Sequence, residues 1–480
     1  MAEPKSVAII GAGIFGLSLA IALRDKGHSV TVFDRSQYDE NGYSPEDKDV
    51  QAASADHNKI FRASYGKEIH YQRLAMESRT GWILEDEKRG LKERDSGEGR
   101  LFVNSGMLRV QPSEELGALE KETLANMERD GLRHTQFVKS DPIDRQRAQD
   151  TGWQVKLLEF DIPNSSPKGS YEAVLDSTAG FLRCSRACAH YQKVAAAKGV
   201  RFYFGPESGA VKALNKENSQ VNPGNIKVTG LVTEDGETHV ADVVVIAAGS
   251  FSTQILPDLS YHLESSGGSI ATFKIDHNNT ELWEKYSPES FPVVTWKAKP
   301  RAGSGKDTGS IYVLPRTPEG LVKIGYRGTK YTNFQNAPKD AAFTQDGQWS
   351  IPLSPEDSST IPERSVHSIR QFVSLFLPDF DGVPFHSTKL CWYTDSLDNS
   401  FVIDYVPEYA EKSVFVCTGG SGHGAKFLPI LGEHAADILE RGENSTSFMR
   451  PFWRWRPDIA RRNGLEEGPK GSRNIGHSNS

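Results

Sequence analysis

"VAIIGAGIFGLSLAIAL", residues 7–23, decides the fold. Its first four residues are apolar and mostly β-branched, the composition of a short buried strand. Gly11, Gly13 and Gly16 follow in GxGxxG spacing, and "LSLAIALRDKG" has helical periodicity and stops at Gly27. A second strand, "SVTVFD", ends on Asp34. Glycines at that spacing allow a tight turn and let the backbone approach a pyrophosphate, which sits at the helix N-terminus. Asp34 is placed to accept hydrogen bonds from a ribose hydroxyl and disfavours a 2′-phosphate, which wants a cation. Alone the glycine pattern also fits an ordinary βαβ turn; the strand before it and the helix after it give it weight.

The motif does not separate NAD from FAD. Its place near the start of the sequence, and the return of a buried strand ending in small residues at "ADVVVIAAGS" (241–250), favour FAD. A long cofactor suits segments that are discontinuous in sequence. The rest of the chain reads as alternating units. "EIHYQRLAMESRTGWILEDEKRG" and "CSRACAHYQKVAAAKG" are helical, and "VRFYFG" and "SVFVCTGG" are strands. "RSQYDENGYSPEDKDVQAAS" is a long polar loop, and "LPILGEHAADILERG" is a helix near the end. Between about 256 and 385 the pattern shifts to alternating strands such as "ATFKID", "GSIYVLP" and "LVKIGYRG", the mark of an antiparallel sheet.

The bulk numbers exclude several classes. A chain of 480 residues holds two or three domains. A net charge of −7, with basic residues dispersed until the last stretch, carries no footprint for nucleic acid. Four cysteines, at 184, 188, 391 and 417, are too few for a disulfide framework, and no CxxC pair or histidine cluster points to a metal. The first apolar run carries the glycine fingerprint and does not read as a secretory signal, and no other apolar span is long enough to cross a membrane. The final "GHSNS" is not a peroxisomal address of the SKL type. The expectation is an intracellular, cytoplasmic protein and a monomer, with no membrane or nucleic-acid partner.

Six motifs in order, "GAGIFG", "HNKIFRASYG", "LVKIGYRG", "KLCWYTD", "GGSGHGAKFLP" and "WRWRP", resemble the flavin amine oxidases of the D-amino-acid-oxidase superfamily. The branch is the one that contains sarcosine, pipecolate and saccharopine oxidases and the fungal fructosyl amino acid oxidases. The resemblance spans nearly the whole chain. It implies an α/β fold: a Rossmann-like FAD-binding domain of glutathione-reductase type, with a second α+β substrate domain built on an antiparallel sheet. The expected division is 1–85, 165–255 and 386–456 for FAD, 86–164 and 256–385 for substrate, and a polar tail at 457–480.

The resemblance also assigns residues. Cys391, which by itself reads as a small buried residue beside Trp392, corresponds to the family cysteine that forms a thioether to the 8α-methyl of FAD. Lys323, a lone lysine in an apolar strand, corresponds to the lysine that assists oxygen reduction, where a positive charge stabilises electron transfer. Tyr312 matches an active-site tyrosine. Arg62 and Lys426 match the pair that clamps the substrate carboxylate, the arginine through its planar fork. The implied cofactor-binding set is Gly11, Gly13, Ile14, Phe15, Gly16, Asp34, Arg35, Ser54, Lys59, Val211, Gly249, Cys391, Gly422, His423, Gly424 and Lys426.

Two positions depart from the pattern. Lys59 stands where sarcosine-type enzymes carry Arg, and both are cations. Arg327 stands where those enzymes carry His and the fructosyl amino acid oxidases an acid, which puts deglycation in doubt. An arginine there suits a second carboxylate, a carbonyl or a phenol oxygen; the residues alone leave open whether it turns outward or pairs with an Asp. The expected activity is that of a covalent-FAD amine oxidase. It would oxidise the C–N bond of a secondary or N-alkylated amino acid to an imine and reduce O2 to H2O2, with oxidative cyclisation as one fate of the imine. The alternatives are a fructosyl amino acid oxidase, a saccharopine or pipecolate oxidase, a dehydrogenase using another acceptor, and a flavoprotein retained as a scaffold.

Overall fold

Strand Ser6–Ile10 pairs in parallel with Ser29–Asp34 on one side and Val243–Ile246 on the other. It is the centre of a six-stranded sheet that Arg201–Phe204 extends at one edge and Val414–Thr418 and Val402–Tyr405 at the other. Only the last pair is antiparallel. Helix Ile14–Asp25 crosses from the first strand to the second and packs with helices Cys184–Ala197 and Leu431–Arg441. The computed structural model describes residues 3–91, 98–157, 171–297, 310–338 and 347–475. Strands Val7–Ile10 and Val243–Ile246 are buried on both faces, which is why they read as unbroken apolar runs.

A second sheet has eight strands, in the order Ser387–Ser396, Leu263–Lys274, Leu321–Tyr331, Ser310–Val313, Val293–Lys297, Met107–Val110, Ala173–Asp176 and Gln136–Val138. Its pairs are antiparallel except Val293–Lys297 with Met107–Val110. One face is covered by helix Glu363–Phe376, whose Ile369, Phe372, Val373 and Phe376 are buried in the same core as the strands. Together the two sheets give the α/β architecture with a largely antiparallel second sheet that the motifs imply.

Two placements differ from the sequence division. Strand Ser387–Ser396, assigned by sequence to the cofactor part, is the edge of the eight-stranded sheet. It pairs along its whole length with Leu263–Lys274, from Leu263 opposite Ser396 to Thr272 opposite Ser387. Residues 457–475, a polar tail by composition, are packed. Arg461 makes a two-oxygen ion pair with Glu264 at 2.9 Å, Leu465 is buried, and Asn474 bridges to Thr332. The long polar loop is also anchored: Tyr38 and Tyr43 stack at 3.9 Å, and the Tyr43 hydroxyl donates to the Ala12 carbonyl at 2.8 Å. Among the described residues no helix is long and apolar enough to cross a membrane.

Candidate functional site

The fingerprint turn is built so tightly that only glycine fits. A Cβ on Gly11, whose φ is +111°, would lie 2.4 Å from the Ala247 carbonyl oxygen, and one on Gly16 would lie 1.9 Å from the Gly11 oxygen. Gly16 therefore sets helix against strand and does not line the cavity that the other fingerprint residues open on. The Ile14 amide donates to Ser54 Oγ at 3.2 Å at the helix N-terminus. Asp34 accepts from the Ala12 amide at 2.8 Å and from the Ser36 amide at 2.9 Å. Burial raises its pKa despite those bonds. Arg35 lies over the Phe251 ring at 3.9 Å.

These residues open on one cavity of about 520 Å³. Gly11, Gly13, Ile14, Phe15, Asp34, Arg35, Ser54, Lys59, Val211 and Gly249 line it, and so do Tyr312, Arg327, Cys391, Gly422 and Gly424. Cys391 is a free, half-buried thiol opposite Gly268, which also lines the cavity and packs against the Tyr393 ring. The fingerprint reaches the glycine-rich turn directly: a Cβ on Gly424 would lie 2.5 Å from the Phe15 ring.

A second cavity of about 590 Å³ adjoins the first, sharing Lys59, Tyr312, Arg327, Gly422 and Ala425. Arg62, His423 and Lys426 line this one only. Lys426 donates to the Tyr65 hydroxyl at 2.9 Å and to the Arg62 carbonyl at 3.2 Å, and Arg62 sits over the Tyr65 ring at 4.5 Å. Burial, with repulsion from Arg62 and Arg327, holds the Lys426 pKa well below the usual lysine range. Burial also pushes the His423 pKa well below the usual histidine range, and its Nε2 bonds the Asn399 carbonyl at 3.0 Å.

Strand Leu321–Tyr331 presents Lys323, Gly325 and Arg327 on one face, since side chains alternate. The Tyr312 ring lies across Gly325, where a Cβ would come within 2.1 Å of it. Arg327 does not turn away. It lines both cavities, approaches the Gly422 carbonyl at 3.5 Å and the Tyr393 ring at 5.4 Å, and has no carboxylate partner among the described residues.

Lys323 is 2% exposed and lines neither cavity. Its ammonium bonds Asp56 Oδ1 at 2.7 Å and the Asn58 carbonyl. The other Asp56 oxygen takes Lys59 at 2.7 Å. Burial lowers the Lys323 pKa, and Asp56 opposes that shift. Burial alone would raise the Asp56 pKa, but the two lysines outweigh it and hold the carboxyl far below the carboxylate range. Two ammonium groups on one carboxylate leave a net positive charge beside the first cavity, which Asp56 and Lys59 line. Sequence reading missed Asp56 because its partner Lys323 is 267 residues away. It missed Tyr65, which lies inside the motif that supplied Arg62 and carried no signal beyond its place there.

A turn that admits only glycine, a helix N-terminus, an acid closing the second strand and a cation-lined second chamber define a dinucleotide-binding fold with a chamber beside the cofactor cavity. The chain belongs to the DAO family, described as FAD dependent oxidoreductase, which it matches over residues 6–438. It is 26% identical to L-saccharopine oxidase of Schizosaccharomyces pombe, over 95% of this chain and 94% of that one. It is also 26% identical to the amino acid oxidase imqH of Aspergillus flavus, over 92% and 94%. In fold it resembles a modified fructosyl peptide oxidase from Aspergillus nidulans solved with FSA. The TM-score is 0.74 at 23% identity, covering 96% of this chain and 95% of that one.

Proposed function

We propose that the protein is a covalent-FAD amine oxidase. It oxidises the C–N bond of a secondary or N-alkylated amino acid to an imine and passes the electrons to O2, forming H2O2. The observation that carries this is the joining of the fingerprint cavity, through Tyr312 and Arg327, to a chamber holding Arg62 and Lys426.

The residues present fit FAD. The Gly11 turn leaves no room for a side chain, and the helix N-terminus at Ile14 suits a pyrophosphate. Thr394 Oγ1, buried in the cavity wall, has no partner among the described residues and is free to bond a ligand. Asp34 would take the ribose hydroxyls and Cys391 the thioether. When bound, FAD supplies the two-electron redox chemistry. Arg62 and Lys426 hold the substrate carboxylate, and Tyr312 borders both chambers where the amine lies. The net positive charge of Lys323, Asp56 and Lys59 favours the negative charge that develops as O2 is reduced. The imine hydrolyses in water, or closes onto a nucleophile within the same molecule. The same reading gives the six-stranded sheet to the cofactor, while the eight-stranded sheet serves both, bringing Cys391 to the cofactor and Tyr312 and Arg327 to the boundary with the substrate chamber.

The test is an anaerobic flavin-bleaching screen over sarcosine, pipecolate, saccharopine, N-methyl aromatic amino acids and fructosyl-glycine, followed by peroxide assay on admitting air. Bleaching by a secondary amino acid is expected. Bleaching by fructosyl-glycine alone would make the enzyme a deglycating one, against which the positive charge of Arg327 weighs. Slow reoxidation in air would make it a dehydrogenase.

Lys426 adds a pH signature. Its pKa is depressed in the free protein, so the ammonium is present below that value and lost as pH rises through it. A bound carboxylate raises it again. Acetate binding should therefore take up a proton, and affinity should fall by about tenfold per pH unit above the free-protein pKa. Calorimetry in buffers of different ionisation heat measures this. Binding with no proton exchange would remove Lys426 from the clamp.

A further inference from the structure

Six cationic side chains line the second cavity, Lys59, Arg62, Lys67, Arg109, Arg327 and Lys426, against three carboxylates, Glu68, Glu120 and Asp398. The pairings within the fold account for only part of this set. Arg109 is held by Glu120 at 2.6 Å and Asp176 at 3.4 Å, and Lys59 by Asp56 at 2.7 Å. Asp398 belongs to Arg456, at 3.1 Å. Lys67 and Glu68 are exposed at the rim.

That leaves Arg62, Lys426 and Arg327, none with a carboxylate within ion-pair reach among the described residues; Asp395, whose charge Arg327 feels from beyond that distance, is already paired with Lys330 at 2.8 Å. They fall into two groups. Arg62 and Lys426 are neighbours, tied through the Arg62 carbonyl and Tyr65. Arg327 stands apart, against Gly422 and Tyr393 and open to both cavities. A half-buried cation that faces a cavity with no carboxylate of its own is best satisfied by a ligand that brings the charge with it. A neutral hydroxyl or carbonyl would give Arg327 a hydrogen bond and leave its charge uncompensated. A carboxylate matches both the charge and the planar fork of the guanidinium.

We propose that the substrate is an amino acid with two carboxylates, one held by Arg62 and Lys426 and the second by Arg327. This rests on the amine-oxidase reading above, in which the first pair clamps a carboxylate. It makes Arg327 the residue that sets specificity, selecting acidic side chains or acidic N-substituents over neutral ones of the same shape.

The test titrates the FAD-loaded protein with malonate, succinate, glutarate and adipate, and with the monoamide of each, by calorimetry. At least one diacid should bind roughly tenfold tighter than its monoamide, the size of one charge-assisted contact. Arg327→Gln should close that gap and leave the monoamide within about twofold, and Arg327→Lys should keep part of it. In turnover, N-methyl-glutamate or N-methyl-aspartate should exceed its amide counterpart by roughly tenfold in kcat/KM, mostly through KM. Melting curves confirm that each variant is folded; the wild-type comparison of acid and amide needs no variant. Equal binding of every diacid and its monoamide, or no binding of either, would overturn the proposal. If Arg62→Gln leaves monoamide affinity unchanged, the clamp itself is wrong. If it weakens acid and amide alike while the two bind equally, the clamp stands and only the second carboxylate falls.

Discussion

Lys323→Met should slow reoxidation of the reduced enzyme by oxygen by about 10²- to 10³-fold, the usual scale for losing one preorganised charge at a reacting centre. Reduction by substrate should change by only a few-fold. The reason lies in the charge count around Asp56. With both lysines present the cluster carries a net positive charge next to the first cavity. Without Lys323 it becomes a neutral Asp56–Lys59 pair. The two half-reactions are separated by stopped-flow absorbance, and equal slowing of both would make Lys323 a substrate or structural residue instead. Asp56→Asn supplies the complementary test. It removes the group that opposes the lowering of the Lys323 pKa by burial, so the pKa should fall further. A lysine keeps its charge below its pKa, so the oxygen step in this variant should weaken as pH rises. In Lys323→Met no such dependence should be seen. A pH-independent Asp56→Asn profile would show that the carboxylate does not control the charge of Lys323.

Cys391→Ala should release essentially all the flavin. In the wild-type protein the yellow colour should stay with the precipitate in acid; in the variant it should pass to the supernatant. Cys391 is the one of four free cysteines that is not fully buried and the only one that lines the fingerprint cavity. Cys417 shows the contrast: it lies in the core strand Val414–Thr418, where burial pushes its thiol up, and it lines neither of the two cavities. Release of flavin from wild-type protein in acid would end the covalent assignment while leaving the FAD fold untouched.

Local signals carried far in this chain. The strand, glycine turn, helix and second strand at the start are encoded in contiguous residues, because a backbone turn with φ of +111° and contacts of 2.4 Å or less tolerates no side chain. Helices with one buried face were legible for the same reason, their periodicity being written within a dozen residues, whereas the long strands Leu263–Lys274 and Leu321–Tyr331 are buried almost throughout and do not show the alternation their sequence suggested. Arg62, Lys323, Cys391 and Lys426 stood out only as members of motifs.

What depended on tertiary structure is pairing across long separations. The sequence places Cys391 beside Trp392, but strand pairing sets it opposite Gly268 at the edge of the eight-stranded sheet. The sequence leaves Arg327 free to face solvent or an acid; the approach of the Gly422 turn puts it between two cavities with no carboxylate at ion-pair distance among the described residues. Composition marks the last residues as a tail, yet one buried acid, Glu264, binds Arg461 and draws the segment back. A charge is visible in sequence, but its partner is not, since burial and ion pairing depend on which distant strands meet. By itself the sequence determined the cofactor turn and the alternation of strand and helix; the meeting of distant strands decided which cations are paired with carboxylates and which line the cavities without one.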